Sequence, residues 1–316
     1  MQTSPYRAVG NQVFGQPQQL QARRRLIGVL SALCVVGFFA SFVLVSRAGL
    51  RSILAPPDLL ALRFLVAGVL MLHIFWHHGL LGLTMSQALG LAFTGGLGFA
   101  AFAYSGFALA PASHGSSLIH GTLPFTTLLV AWTCFGERSS GRRLAGAVVI
   151  TSGIVLLGAD SLAGLEPMQL KGDVLLLCAS VCWSIYGLLA RRYRVSAIPA
   201  TALVAVVSAV CFVPAYFLSG NTGLFAAEPY EVIWQGLFQG IAISVVGLIA
   251  YTKAVANLGA GTTALFAAAA PVLTTLLSIP VLGEQPALMT WLGVSCVTVG
   301  IVVSAWTARS VDQPKI

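Results

Sequence analysis

A chain of 316 residues in which 57% are apolar and only 8% charged, with a mean hydropathy of +0.90, cannot have water as its principal solvent. The surplus of 17 basic over 9 acidic side chains would suggest nucleic acid in a soluble protein, but here the basic residues fall between apolar runs, where they act as orientation signals. An outer-membrane barrel is excluded as well, because its spans would be segments of ~10 residues alternating in polarity, whereas these runs are apolar on every face.

In chain order, residues 1–25 are polar and Gln-rich and read as a disordered cytoplasmic tail. Arg23-Arg24-Arg25 ahead of an apolar run could open a signal peptide, but the run from Leu26 to Ser46 is longer than the apolar region of such a peptide. It also has an ordinary internal counterpart in the second half of the chain. Some twenty apolar residues in a helix cross a hydrocarbon core of ~30 Å. On that basis the sequence predicts an all-α membrane protein of ten transmembrane helices, at 26–46, 59–76, 88–110, 112–134, 144–160, 172–190, 200–218, 231–254, 261–282 and 287–307. The connections are short apart from 161–171 and 219–230, and 308–316 forms a second tail.

Basic residues concentrate in the N-terminal tail (Arg7, Arg23, Arg24, Arg25), the fourth connection (Arg138, Arg142, Arg143) and the sixth (Arg191, Arg192, Arg194). All three lie on one side of the predicted membrane. The other side has Arg47, Arg51 and Lys171 near Asp58, Asp160, Glu166, Asp173, Glu228 and Glu231. The positive-inside rule then places both termini in the cytoplasm of a bacterial-type inner membrane.

The chain also repeats itself. Shifted by 147 positions, Ala103-Tyr104 falls on Ala250-Tyr251, Pro124 on Pro271, Thr127 on Thr274, and Gly136-Glu137 on Gly283-Glu284. Gly146, Thr151 and Gly153-Ile154-Val155 fall on Gly293, Thr298 and Gly300-Ile301-Val302. Shifted by 144, Cys34, Phe39 and Arg47 meet Cys178, Trp183 and Arg191. Five spans per unit is an odd number, so the second copy enters the membrane from the opposite side and the halves are inverted repeats. Inverted repeats suit carriers, since exchanging the conformations of two similar halves turns an outward-open cavity into an inward-open one.

With the paired Pro-x12-Glu stretches Pro124 to Glu137 and Pro271 to Glu284, the Arg63-Phe64 pair, and the aromatic segments Phe38-Phe39-Ala40-Ser41-Phe42 and Trp183-Ser184-Ile185-Tyr186, the chain resembles the drug/metabolite transporter superfamily. The likeness is to its ten-helix EamA-type members. It covers about residues 26–307, with repeats at 26–160 and 172–307 joined by 161–171. It implies a carrier of amino acids, sugars, nucleotide derivatives or drugs, often outward, through a central cavity walled by both repeats. In one departure, the second-half counterpart of Arg63 is about Ala205, so a role for Arg63 is not duplicated. The four-helix multidrug members carry a glutamate in the first span, and this chain has no acid there.

Ionisable groups inside a bilayer are costly and point to function. Arg63 reads either as a snorkelling or carbonyl-capping residue or as an anion contact in the cavity. Lys253 reads either as an orientation charge or as a substrate contact. His114 and His120, six residues apart, point to different faces of a straight helix, so at most one faces the cavity. His120 is the deeper, and suits either a proton carrier or a hydrogen-bonded core histidine. Tyr104, Tyr251, Phe39, Phe42, Trp183 and Tyr186 line a cavity or pack a core. Pro124 and Pro271 break two helices at matching places and are candidate hinges. Glu137 and Glu284 are expected to be structural, bonding backbone groups where helices turn. His73, His77 and His78 read as interfacial, while Gly236 with Gly240, and the glycine pairs spaced at seven, read as helix-packing surfaces.

The six cysteines form no CxxC or metal-ligand spacing. No Walker-type loop, HExxH or paired carboxylate occurs in the spans, so neither an enzyme, a metal nor a cofactor is expected. The reading is therefore a secondary transporter of a small organic solute, with amino-acid or related metabolite export as the first expectation. A multidrug exporter or lipid flippase is the alternative within its class, and a membrane enzyme or receptor the alternative outside it.

Overall fold

The computed structural model describes residues 6–136, 145–146, 148–153, 156, 167–220, 223–267 and 269–309. Among these the chain is helical throughout and contains no strand. Helix α1 covers Tyr6–Gly49, so the polar run 6–25, expected as a disordered tail, is helical and continuous with the first span. Its Gln, Arg, Leu and Ala content is favourable to helix, which is the local reason for the difference.

α2 (Pro56–His78) starts on two prolines, where a missing N–H costs nothing. Its Asp58 turns back to accept from the Ala55 N–H at 2.7 Å. α3 (Met85–Ala92) opens on Thr84, which exchanges hydrogen bonds with Gln87 as a capping box. A π-helical turn, Phe93–Leu97, joins it to α4 (Gly98–Leu109). After Pro111 come α5 (Ala112–Ser116), a second π-helical turn (Ser117–Gly121) and α6 (Leu123–Phe135). The second half runs α7 (Pro167–Arg192), α8 (Ala197–Leu218), α9 (Pro229–Leu237), a long π-helical segment (Phe238–Gly247) and α10 (Leu248–Leu258). It closes with α11 (Ala260–Ala267), α12 (Ala270–Leu282) and α13 (Leu288–Arg309).

Seven helical stretches are long and apolar enough to cross a membrane: Leu20–Gly49, Pro56–His78, Met85–Leu109, Pro167–Arg192, Ala197–Leu218, Pro229–Leu258 and Ala260–Leu282, the last running across the junction of α11 and α12. The expected span 112–134 is not among them; it is broken at Thr122, where a π-helical turn gives way to a helix with proline in its first turn. The expected span 144–160 is described at 145–146, 148–153 and 156, which are helical, and its other residues lie outside the described ones. α13 contributes a shorter apolar stretch, Leu288–Gly300. The apolar outer surface agrees with a lipid surrounding: Val69, Val210 and Leu276 all stand exposed mid-helix.

The irregular places recur at the spacing of the repeat. α6 and α12 begin at Leu123 and Ala270, end at Phe135 and Leu282, and stop on Gly136 and Gly283, with φ of +65° and +64°. Those left-handed caps require glycine. The residues before the two helices, Thr122 and Ala269, share backbone angles of −82°/−10° and −78°/−15°. The π-helical turn at Phe93–Leu97 likewise falls within Phe238–Gly247. Packing is mostly between the halves: α2 against α8, α4 and α6 against α7, and α1 against α10 and α12. The glycines spaced at seven let backbones touch. A Cβ on Gly153 would stand 2.8 Å from the Gly293 carbonyl oxygen, and one on Gly300 would stand 3.0 Å from that of Gly146.

Candidate functional site

Because the halves pack face to face, the large side chains of α1, α4 and α7 meet in the middle of the molecule. Phe42 on α1 lies against Phe99 (5.9 Å between ring centroids), Tyr104 (5.7 Å) and Phe107 (5.3 Å). Phe99 lies against Trp183 at 4.5 Å, and Trp183 against Tyr186 (5.5 Å) and Tyr251 (4.9 Å). Phe39, one turn before Phe42, stacks on His120 at 4.1 Å and 19°, and meets Trp183 edge-on. Eight of the residues singled out in the sequence thus fall in one cluster: Phe39, Phe42, Arg63, Tyr104, His120, Trp183, Tyr186 and Tyr251. All eight are buried.

Arg63 is 2% exposed, so it does not snorkel. Its guanidinium lies over the rings of Phe42 (5.5 Å), Phe99 (5.8 Å) and Phe64 (5.9 Å). Ring faces are electron-rich and offset part of the cost of burying a cation, by ~2 kcal/mol each when desolvated. Its Nη1 donates to the Tyr104 hydroxyl at 3.4 Å. Tyr104 donates in turn to Gln239 Oε1 at 3.0 Å, and Gln239 Nε2 donates to Ser46 Oγ and Gln235 Oε1. Gln235 ends the chain on the Val45 carbonyl at 3.0 Å. No carboxylate among the described residues comes within ion-pair distance of Arg63.

Several buried polar atoms in and beside the cluster have no hydrogen-bond partner: Arg63 Nε, Trp183 Nε1, both ring nitrogens of His120, and Ser117 Oγ. Native interiors rarely leave such atoms unpaired, and a ligand site is one physical reason for them. The two histidines of the broken helix separate clearly. His114 lies 3.1 Å from Asp173 on α7, while His120 joins the aromatic cluster. Between α6 and α7 a ladder of hydroxyls, Thr122 and Thr126 with Ser180, and Thr126 and Thr127 with Ser184, ties the two helices at 2.7–3.2 Å.

The other candidates lie elsewhere. Lys253 is exposed and outside the cluster, because it occupies the face of α10 opposite Tyr251, Thr252 and Val255. Pro124 and Pro271 stand in the first turns of α6 and α12. The two breaks adjoin, since a Cβ on Gly121 would stand 3.2 Å from Pro271 Cγ. Glu284 lies at one end of the bundle, where it receives Arg51 Nη2 (2.9 Å), Arg47 Nε (3.4 Å) and the Ala112 N–H (3.0 Å). Arg47 also donates to the Phe107 carbonyl, and Arg51 to that of Leu282. Glu137 lies outside the described residues.

At the opposite end, a cleft of about 550 Å³ is lined by Ala190, Arg191, Arg194, Thr252, Val255 and Gly259. Its floor touches the cluster: Thr252 is hydrogen-bonded to the Tyr186 hydroxyl at 2.9 Å. Sequence reading missed Phe99 and Gln239. Gln239 was findable as the second of two amides at i and i+4 inside an apolar run, a placement that costs energy unless used. Phe99 carried no signal beyond being one of 17 phenylalanines.

Comparison with known proteins bears on this geometry. The model of the EamA-like transporter family matches twice, at residues 26–159 and 170–306. A Bacillus subtilis (strain 168) protein described as "Uncharacterized transporter YetK" is 24% identical over 299 residues, 90% of this chain and 88% of that protein. A second from the same organism, "Uncharacterized transporter YyaM", is 24% identical over 230 residues, covering 69% of this chain and 72% of its own. A "Probable amino-acid metabolite efflux pump" of Escherichia coli (strain K12) is 33% identical over 161 residues, half of each chain. One crystal structure superimposes with a TM-score of 0.62 at 24% identity, over 92% of this chain and 99% of its own, a likeness of fold.

Proposed function

The chain belongs to the EamA-like transporter family and is a multi-pass membrane transporter, and on that premise we propose that it carries an amino acid or related metabolite outward across the inner membrane by alternating access. The reading takes the chain as ten spans in two inverted units, 26–160 and 172–307, with both termini cytoplasmic. It is supported by the matched helix breaks, π-helical turns and glycine caps of the two halves, and by the family match falling once on each half. The export direction rests on the likeness to the Escherichia coli protein described as an efflux pump. Energy comes from the solute gradient or a coupled ion.

The observation that carries the reading is the buried aromatic cluster around Arg63, placed where the two halves meet. A guanidinium there, with orphaned nitrogens on Trp183 and His120 nearby, is expensive unless a bound solute completes it. Aromatic rings supply shape and apolar contact, and a few polar groups fix orientation, which is the usual make-up of a small-molecule site. The Glu284 end, tied together through Arg47, Arg51 and the Ala112 N–H, and the cleft at the other end suit a carrier state closed to one side. Pro124 and Pro271 serve in this reading as the hinges.

Counterflow of a labelled amino-acid and metabolite panel in proteoliposomes tests it. Saturable exchange of at least one solute is expected, lost in Arg63→Gln and weakened in Trp183→Ala and Tyr251→Ala. Exchange that persists unchanged in all three variants would sink the assignment of the site.

A further inference from the structure

Two of the unpaired nitrogens of the cluster are donors by nature, whereas the His120 ring nitrogens and the neighbouring Ser117 Oγ can also accept. Arg63 Nε and Trp183 Nε1 can only donate hydrogen bonds, and the Tyr104–Gln239–Gln235 chain that steadies Arg63 ends on a backbone carbonyl without presenting a free acceptor. Phe99 touches both groups, the guanidinium at 5.8 Å and the indole at 4.5 Å between ring centroids. The described carboxylates are committed or remote. Asp58 accepts from Tyr216, the Gly223 N–H and the Ala55 N–H, and Asp173 lies on His114. Glu284 holds Arg47 and Arg51, while Glu228 and Glu231 sit at the start of α9.

From this the geometry points to a substrate that is net anionic, a carboxylate with an aromatic or branched apolar body and no free ammonium group. This rests on the site proposed above and narrows its substrate class. The carboxylate would lie on the planar fork of Arg63, which matches it bidentately, with the Trp183 N–H as a further donor. The body would lie against Phe39, Trp183 and Tyr251. A zwitterionic amino acid would bring an ammonium that needs an acceptor or a free ring face. Among the described residues the cluster has no carboxylate to neutralise it, its unpaired acceptors being the uncharged Ser117 Oγ and a His120 ring nitrogen, and the faces of Phe42, Phe64 and Phe99 already serve the guanidinium. The approach fits the same sign, since the cleft that reaches Tyr186 through Thr252 is lined by Arg191 and Arg194 and by no acid.

The test is counterflow with three solutes that share a phenyl body: phenylpyruvate, L-phenylalanine and phenethylamine, an anion, a zwitterion and a cation. The purified full-length chain in proteoliposomes should exchange phenylpyruvate saturably, with the other two neither exchanged nor competing. Arg63→Gln should lower that exchange roughly 30-fold or more, the scale for removing one partner of a buried charge pair. Trp183→Phe keeps a ring but loses the donor, and should raise KM roughly 5-fold with the maximal rate held, the scale of one buried hydrogen bond. Lys253→Gln, away from the cluster, should leave exchange intact. Arg63-dependent exchange of L-phenylalanine without phenylpyruvate would overturn the anionic substrate and leave the carrier reading standing. Exchange of none of the three, nor of any solute in the wider panel, by monodisperse protein would overturn both.

Discussion

Replacing Glu284 should loosen one end of the bundle by a predictable amount. Its carboxylate joins α1, through Arg47 and Arg51, to the N-terminus of α5 and to the chain just beyond α12, so its bonds must part if that end opens. The Ala112 N–H bond at 3.0 Å is made to a charged acceptor and is worth ~1.5–3 kcal/mol. Arg51 is 42% exposed, so its pair adds at most about 1 kcal/mol, and the 3.4 Å contact to Arg47 adds little more. Glu284→Ala should therefore cost the sealed state about 2 kcal/mol, and Glu284→Gln, which keeps an acceptor for Ala112, about 1 kcal/mol. At ~1.4 kcal/mol per decade, opening should become roughly 30-fold and 5-fold more populated. Ser113, next to Ala112 and 2% exposed, reports on it. In a Ser113→Cys background, labelling by a membrane-impermeant maleimide should accelerate by those factors, with the same protein lacking that cysteine as control. Rates within twofold of the parent, in protein that remains monodisperse, would refute the view of Glu284 as a latch.

Three further outcomes are expected. Tyr104→Phe removes the hydroxyl that links Arg63 to Gln239, at ~1–3 kcal/mol for the acceptor left unpaired; the counterflow KM should rise roughly 10-fold while the protein stays folded. Gly121→Val forces a Cβ to within 2.8 Å of Val297 Cγ1 and 3.2 Å of Pro271 Cγ, an overpacking of ~1–3 kcal/mol where the two helix breaks adjoin; thermal unfolding in detergent should show a lower Tm, and turnover should fall more than KM changes. Asp58→Ala leaves Tyr216 and the Gly223 and Ala55 N–H groups without their acceptor and should cost ~3 kcal/mol in stability; KM of the folded fraction should be unaffected, since Asp58 lies outside the cluster.

Much of the candidate site was readable because repeats and polar groups in an apolar chain are conspicuous. Tyr104 and Tyr251 stood out by recurring at one spacing, and Arg63 and His120 by being ionisable within predicted spans. Lys253 stood out for the same reason and yet is exposed. Its sequence surroundings resemble those of Arg63, and only the rotation of each helix within the bundle separates the buried residue from the exposed one.

The sequence by itself determined the solvent, the helical class and the internal repeat, because these follow from composition and from residues spaced along one chain. It also located the helix breaks at Pro124 and Pro271, since a missing N–H acts locally. The tertiary structure alone decided that His114 faces Asp173 while His120 stacks on Phe39, that Glu284 caps α5 rather than its own helix, and that Arg63 is cradled by Phe42, Phe64 and Phe99. Those contacts join residues up to 172 positions apart. They depend on the packing angle and rotation of whole helices, which no local spacing encodes.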